Sequence, residues 1–199
     1  MAFANSTTGK EEIMSKKRLY EIIYEVSRTV NSSLDPSEVL SRIAEQVTRA
    51  MGVKGCFIRL LDRSGKVLKP AAYFGLSQRY AQKGVVEVAK SGLDREAFTG
   101  KVVQIADAGS DPRFQYGGEA VKEGLVSVLV APLFVEGSRP IGVLRVYTGE
   151  RREFDEEEIG FLQAIANISA IAIENARMHQ TLKRQMELIN AYDYQVFED

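Results

Sequence analysis

Apolar residues recur every three or four positions in the first quarter of the chain, which predicts two amphipathic helices. The first is expected to begin near residue 11, and its apolar stripe consists of Leu19, Ile22, Ile23, Val26 and Val30. Asp35 precedes Pro36, a pairing typical of an N-cap followed by the first helical residue. The second helix is expected to run from Pro36 to a stop at Gly52.

The spacing of apolar residues then changes to the two-residue period of β-strands. Residues 55–61 and 67–74 are predicted strands joined by a turn, and residues 126–134 and 141–148 form a second predicted hairpin. The segment between the hairpins is predicted to hold short helices at 77–83 and 94–99, a short strand at 102–105, and a helix that opens at Asp111-Pro112, runs to about Glu123 and is capped by Gly124.

The longest predicted element begins at Asp155, which forms a capping-box-like pair with Glu158, and continues to about residue 189. One apolar stripe, the heptad seam, repeats at alternating spacings of four and three and comprises Phe161, Ile165, Ile168, Ala172, Asn175, His179, Leu182, Met186 and Ile189. A second stripe ends near Ala176 and is expected to pack against the sheet. A helix of roughly 35 residues measures about 50 Å, more than a small sheet can cover.

The far end of the heptad seam therefore needs a partner helix. We expect a homodimer in which the N-terminal stripe, represented by Leu19, Ile22 and Val26, joins the seam in a helical bundle. Two alternatives remain at this point: the segment after residue 180 frays, or it links this domain to another.

The order of elements predicts an α+β fold, in which an antiparallel β-sheet has the terminal helices on one face and loops with short helices on the other. Residues 1–10 are small and polar and are expected to be disordered. Residues 11–180 form the predicted domain with its N-terminal helix, and residues 181–199 form a C-terminal helical extension.

Composition excludes several classes of function. The 26 basic and 27 acidic side chains nearly cancel, which argues against nucleic-acid or anionic-membrane partners. The N-terminus lacks a signal-peptide pattern, and a single cysteine suits a reducing cytoplasm, so a cytoplasmic protein is expected. With one cysteine, Cys56, and one histidine, His179, we expect no metal site. The chain also lacks a Ser-His-Asp set, a phosphate-binding glycine loop and an HExxH motif, so no catalytic residue is assigned.

Several strings of residues, taken together and in order, resemble the GAF domain family. They are Leu34-Asp35-Pro36, Cys56 to Asp62 followed by Ser64-Gly65, Asp107 with Asp111-Pro112-Arg113-Phe114, Gly124 to Leu133, Gly142 to Tyr147, and Phe154-Asp155 through Glu174-Asn175-Ala176. The resemblance covers about residues 20–180 and implies a GAF/PAS-like sensory module that binds a small molecule, carries a cofactor or only dimerises.

The chain departs from the specialised members of that family. The chemistry of the family's free methionine sulfoxide reductases resembles a relay between several cysteines. This chain has Cys56 alone, on the predicted helix-facing side of a strand. Bilin-binding members carry a cysteine near the pocket, yet residues 57–178 contain neither cysteine nor histidine. The residue pattern of cyclic-nucleotide-binding members is not evident. The cofactor and the ligand are therefore unknown at this stage.

Strand alternation locates the expected ligand pocket. One face of the first strand presents Phe57 and Arg59, and one face of the last strand presents Arg145 and Tyr147. These mixed faces should meet residues 76–124, whereas the purely apolar faces should meet the helices. Two arginines favour an anionic ligand, although they can instead pair with acidic side chains of the covering loops or reach solvent.

Three further aromatic residues, Tyr73, Phe114 and Tyr116, are expected to form a pocket wall, with ordinary core packing as the alternative. Gly117-Gly118 beside them is either a flexible lid or an ordinary loop. The predicted function is a non-catalytic sensor that binds a small, anionic molecule and signals through a helical dimer interface. The alternative is a dimerisation scaffold that has lost its ligand.

Overall fold

The computed structural model describes residues 21–28, 35–135 and 139–196, with side chains described as far as residue 188. Helix α1 covers residues 21–28. The other helices are α2 (Pro36–Ala50), α3 (Gln78–Ala81), α4 (Gly92–Ala97), α5 (Gly117–Glu123) and α6 (Glu156–Val196), and a 3-10 turn spans Val88–Lys90. The strands are β1 (Gly55–Leu61), β2 (Val67–Phe74), β3 (Val86–Glu87), β4 (Val103–Ile105), β5 (Val128–Val135) and β6 (Arg139–Tyr147).

The six strands form one antiparallel sheet in the order β3-β2-β1-β6-β5-β4. Strands β1 and β6 lie in the middle of the sheet, where Phe57 is opposite Arg145 and Arg59 is opposite Val143. The sheet carries α2 and α6 on one face and the segment from α3 to α5 on the other, so the predicted α+β architecture is confirmed.

Short-range capping chemistry fixes the helix ends where the sequence predicts them. The Asp35 carboxylate accepts a hydrogen bond from the Ser37 amide at the start of α2. At the start of α6, Asp155 and Glu158 each accept a bond from the other's amide, at 2.8 and 3.2 Å, which is the reciprocal capping box. Gly124 ends α5 in the left-handed conformation, with φ of 68°.

The helix-covered face of the sheet is a purely apolar core. Its centre consists of Cys56, Ile58, Leu129, Leu144 and Val146, all with no exposed surface. This packing confirms the predicted orientation of β1 and β6, because the same strands turn their alternate residues toward the opposite face.

Three residues of the predicted dimer interface belong to this core instead. Phe161 is 4% exposed, and Ile165 and Val26 are fully buried within the chain. A side chain that is already buried is not available to a partner chain, so these three positions are corrected from interface to core. The heptad pattern could not reveal this, because burial inside a chain and burial between two chains both produce the same spacing of apolar residues along a helix.

The rest of the predicted seam divides along α6. Ile168, Ala172 and, from α1, Ile22 are partly buried against the core, whereas Asn175, His179, Leu182 and Met186 are exposed. Leu19 and the side chain of Ile189 lie outside the described residues. Within Glu156–Leu188, a window of 18 residues with a mean hydropathy of 1.3 is long and apolar enough to cross a membrane by length and composition, and the first half of the stretch contributes its apolar residues to the core.

The covering segment differs from prediction in two elements. The helix expected from Asp111 begins only at Gly117, because the Asp111 carboxylate accepts hydrogen bonds from the backbone amide and guanidinium of Arg113 and closes a turn. Strand β3 was not predicted, since it is two residues long and pairs only with the start of β2. The glycines Gly117 and Gly118 lie in the first turn of α5.

Candidate functional site

A buried ion pair joins the sheet to the covering segment. Arg145, near the C-terminal end of β6, is 2% exposed, and its Nη2 donates a hydrogen bond to Oδ2 of Asp94, which is fully buried on α4. Burial acts to lower the pKa of Arg145, but the Asp94 carboxylate and the Tyr147 phenol outweigh it and hold the pKa above its ordinary value. Arg145 therefore has its counter-ion within the chain.

The second arginine lies one strand away and has no such partner. Arg59 is fully buried, and its Nη1 makes two long hydrogen bonds, 3.3 Å to the Leu68 carbonyl and 3.4 Å to the Gly84 carbonyl. Within the described residues, its Nε and Nη2 have no hydrogen-bond partner. The guanidinium carbon lies 4.1 Å from the centroid of the Phe57 ring, which partly compensates the charge through a cation–π contact.

Other buried polar atoms surround these two arginines. The hydroxyls of Tyr80 and Tyr147, Nε of Arg145 and Oδ1 of Asp94 are also buried without a partner in the described part of the chain. The two tyrosine rings meet edge to face with centroids 5.9 Å apart. We call Arg59, Arg145, Asp94, Tyr80 and Tyr147 the arginine cluster. Native proteins rarely leave so many adjacent polar atoms unpaired, which marks this cluster as the candidate site.

The protonation of the cluster follows from its burial and its excess of positive charge. Burial, reinforced by the charge of Arg145, lowers the pKa of Arg59, although a guanidinium stays charged at neutral pH. Burial raises the pKa of Tyr80, with the neighbouring Tyr147 acting in the same direction. The Tyr80 phenol is therefore a neutral hydrogen-bond donor at physiological pH.

Lys83 lies at the edge of the cluster. Its Nζ is 3.3 Å from the centroid of the Tyr80 ring and donates a hydrogen bond of 3.2 Å to the Tyr80 carbonyl. Burial first, and then the charges of Arg59 and Arg145, lower the pKa of Lys83 to about 6. The amine is therefore mostly neutral at pH 7, because the two arginines make a further positive charge at this position unfavourable.

Hydrogen bonds hold the covering segment over the cluster. The Tyr116 hydroxyl donates to the Val85 carbonyl at 2.7 Å, and the Gln115 side-chain oxygen accepts from the Glu87 amide at 3.1 Å. Arg113 binds Asp111 and also reaches Glu96 on α4 at 2.8 Å. The turn at Asp111 thus holds α4, the helix that carries Asp94, through the Arg113–Glu96 pair.

The structure brings together five of the seven residues predicted to bind a ligand. Phe57, Arg59, Phe114, Arg145 and Tyr147 are buried on the covered face, with the Phe114 ring 5.7 Å from the Arg145 guanidinium. The other two lie at the margin: Tyr116 is partly exposed, and Tyr73, which contacts Phe57, is 39% exposed. Whether these residues bind a ligand stays a prediction.

Three residues of the site were missed from the sequence, namely Asp94, Tyr80 and Lys83. Tyr80 and Lys83 are three residues apart, a spacing that places two side chains on the same side of a helical turn. Ser91 and Asp94 have the spacing of an N-terminal helix cap. These signals indicate local geometry, but they do not show that the side chains point at the sheet.

A groove of about 1090 Å³ lies between the β1–β2 turn, the start of β6 and α6. It contains Arg63, Arg139, Lys183 and Glu187, all exposed, so charges of both signs there are already solvated. Charges in water need no ligand, whereas the buried charge of Arg59 does. The arginine cluster is therefore the stronger candidate.

Cys56 lies on the opposite face of the sheet from the cluster, fully buried among apolar side chains. Burial raises the pKa of its thiol, so the reactive thiolate is suppressed. Among the residues described, no three His, Cys, Asp or Glu side chains are arranged to hold a metal ion.

The comparisons with known proteins agree with the fold and with the quoted strings of residues. The sequence profile of the GAF domain matches residues 33–174, and the chain belongs to the GAF domain family. It is 31% identical over 179 residues to the methyl sulfide methyltransferase-associated sensor of Methanosarcina acetivorans. That match covers 88% of this chain but 17% of the relative, so the chain corresponds to a small part of that longer sensor.

Solved structures show the same fold. The GAF domain of a phosphoenolpyruvate-protein phosphotransferase from Coxiella burnetii superposes with a TM-score of 0.74 at 20% identity, over 83% of this chain and 98% of that one. The free methionine-R-sulfoxide reductase of Neisseria meningitidis, solved with its substrate, gives 0.67 at 21% identity, over 81% and 91%. Identities this low support the fold alone, and domains of this family are generally sensory and non-catalytic.

Proposed function

We propose that this GAF domain is a non-catalytic sensor module that binds a small anion at the arginine cluster. The observation that supports the proposal is Arg59, a fully buried guanidinium without an ion-pair partner among the described residues. An uncompensated buried charge costs several kcal/mol. An anion that reaches Arg59 removes that cost and is bound strongly for the same reason.

The free atoms of Arg59 indicate which anions fit. Nε and Nη2 form one edge of the guanidinium, and this edge matches the two oxygens of a carboxylate or a phosphate. The phenols of Tyr80 and Tyr147 supply further donors beside that edge. Arg145 is already paired with Asp94, so a single negative charge is enough to balance the cluster.

A thermal-shift screen with phosphate, nucleotides, amino acids and organic acids tests this proposal. We expect at least one anion to raise the melting temperature of the wild-type protein and to leave Arg59→Met unchanged. Arg63→Met serves as the matched control, because Arg63 is exposed on the β1–β2 turn. A response that persists in Arg59→Met, or is lost equally in Arg63→Met, would refute binding at the cluster.

We further propose that the signal leaves the domain through a dimer formed by α6. The first half of α6 packs on β5 and β6, the strands that flank and carry Arg145, and the second half exposes apolar side chains. Ile171, Met178, Leu182 and Met186 are each more than half exposed, and a second copy of α6 offers an apolar surface of the same spacing. A shift of α6 against the sheet would then change how the two α6 helices of the dimer pack against each other.

Leu182→Glu combined with Met186→Glu tests the dimer. Analytical ultracentrifugation should find a dimer for wild type and a monomer for the double variant, with unchanged thermal stability of the monomer. Val121→Glu is the control, since Val121 is equally exposed but lies on α5. A monomeric wild-type protein contradicts this part of the proposal, and a dimer with no anion response favours a ligand-free scaffold.

A non-catalytic role is supported by the position of the single cysteine. The Cys56 thiol is separated from the arginine cluster by the sheet itself and has no exposed surface. A thiol relay of the methionine sulfoxide reductase kind needs an accessible, ionisable thiol. Incubation with free methionine sulfoxide and a thiol reductant should therefore yield no methionine.

A further inference from the structure

The arginine cluster and Lys83 together hold an unbalanced set of charges. Arg59 and Arg145 are permanently positive, Asp94 is the one carboxylate among them in the described structure, and it is bound to Arg145. The positive charge left over belongs to Arg59, whose Nε and Nη2 lack partners. One additional negative charge at this point would leave two complete ion pairs.

Lys83 is placed to carry that charge. Its Nζ lies 5.2 Å from the centroid of the Phe57 ring, against which the Arg59 guanidinium also packs at 4.1 Å. The Tyr80 and Tyr116 rings lie 3.3 and 5.5 Å from the same Nζ, so the amine has an aromatic, poorly hydrated surrounding. The side chain is partly exposed, which gives small molecules access from solvent.

The amine is also chemically suited to react. A pKa of about 6, lowered by burial and by Arg59 and Arg145, leaves most of Lys83 neutral at pH 7, whereas an ordinary lysine with a pKa of about 10.4 is almost entirely protonated. Glu119 and Glu123 oppose the shift only weakly. A neutral lysine amine in an apolar site is a nucleophile.

We propose that Lys83 is a carbamylation site, at which carbon dioxide adds reversibly to the amine and supplies the anion that Arg59 lacks. The Nζ lone pair attacks the carbon of CO₂, a C–N bond forms, and the electron pair of one C=O bond moves to oxygen. One proton leaves Nζ for water, and no group is oxidised or reduced. The inference rests on the proposed function, since it names one small molecule that satisfies the same cluster.

The product fits the contacts already present. The carbamate nitrogen keeps one N–H, which still donates to the Tyr80 carbonyl that Nζ contacts at 3.2 Å. Its two oxygens carry one negative charge beside the Phe57 ring, which the Arg59 guanidinium also contacts. A carboxylate-like group is the acceptor that the unpartnered Nε and Nη2 of Arg59 can bind in a forked geometry. The same positive charges that suppress protonation of the amine thus stabilise its carbamate.

Trapping the adduct tests this inference. The wild-type protein is equilibrated with ¹³C-labelled bicarbonate at pH 7.5, the carbamate is alkylated with a trialkyloxonium salt, and peptides are analysed by mass spectrometry. We expect the label on Lys83, at least tenfold above that on Lys66 and Lys69, which are exposed lysines of the same chain. Arg59→Met should reduce the Lys83 label several-fold and leave the other two unchanged.

The outcomes separate this inference from the proposed function. Labelling of Lys83 no greater than that of Lys66 and Lys69 overturns the carbamate, whatever the anion screen shows. An Arg59-dependent thermal shift without label at Lys83 retains anion binding and rejects only the carbamate. Label at Lys83 without any response to free anions supports the carbamate and contradicts a separate anion ligand.

Discussion

The two faces of the sheet are buried to the same degree but by different chemistry. Leu144 and Arg145 are neighbours in β6, and neither exposes more than 2% of its surface. Leu144 packs among apolar side chains of α2 and α6, whereas Arg145 meets Asp94, Tyr147 and the aromatic ring of Phe114. Alternate residues of one strand therefore serve a structural core and a polar site.

The difference indicates where stability and function are separated in this domain. The helix face buries two hydroxyls, those of Thr48 and Ser169, and each bonds to a carbonyl of its own helix. The other residues of its core cluster are apolar and are stabilised by their removal from water. The covered face buries charge, which is unfavourable unless it is paired. A fold that needed only stability would not place two arginines there, which is why the proposed anion site is assigned to the covered face.

The largest effect should come from breaking the buried ion pair between Arg145 and Asp94. Asp94→Ala leaves Arg145 without its counter-ion, and we expect a loss of about 3–5 kcal/mol in the free energy of unfolding, measured by urea denaturation. Adding Arg145→Met to this variant should restore most of the loss, because the uncompensated charge is then removed as well.

Glu96→Ala is the control for that measurement. Glu96 lies on the same helix, and its ion pair with Arg113 is 38% exposed on the arginine side and 46% on the glutamate side. An exposed pair contributes about 0–1 kcal/mol. Equal losses for Asp94→Ala and Glu96→Ala would mean that the Arg145–Asp94 pair is solvated and that the two faces do not differ as described.

The opposite face should respond through packing alone. Leu144→Ala deletes a fully buried side chain and should lower the unfolding free energy by about 3 kcal/mol, while the response to anions persists. Val121→Ala, at a position 61% exposed and outside the proposed dimer surface, should change stability by less than about 0.5 kcal/mol. Loss of the anion response in a still-folded Leu144→Ala protein would show that the two faces are coupled.

The pH dependence of stability reports on Lys83. Its folded pKa of about 6 lies below the unfolded value of about 10.4, so between these values the unfolded chain binds more protons and stability rises with pH. Relative to Lys83→Met, the wild-type protein should therefore gain stability from pH 6.5 to pH 9, by less than about 1.4 kcal/mol per pH unit. Relative to Lys66→Met, a variant at an exposed position, the wild-type protein should show no such gain in stability over the same pH range.

Much of the fold was predictable from the sequence because local rules determine it. Strand alternation placed Arg59 and Arg145 on the covered face, and the capping residues Asp35 and Asp155 fixed where helices begin. The helix expected from Asp111 was wrong, since a carboxylate that bonds to its own backbone competes with helical hydrogen bonds.

The partners of the two arginines were not predictable. Arg145 pairs with a carboxylate 51 residues earlier, and Arg59 with none in the described chain, although both share the same strand environment. The orientation of α4 against the sheet decides between them, and that orientation depends on tertiary packing. Likewise, the heptad spacing of Phe161 and Ile165 was correct while their burial inside the chain was not foreseen.

The unfolding free energy of Arg59→Met, measured beside wild type in CO₂-free buffer of low anion content, tests the central claim most directly. Met keeps much of the apolar volume and removes a buried charge that has no ion-pair partner among the described residues. The interactions lost are the long hydrogen bonds to Leu68 and Gly84 and the cation–π contact with Phe57. We predict a stability within about 1 kcal/mol of wild type, or above it. A loss of about 3 kcal/mol or more, comparable to that of Asp94→Ala, would contradict the account, because Arg59 would then already have a partner within the protein.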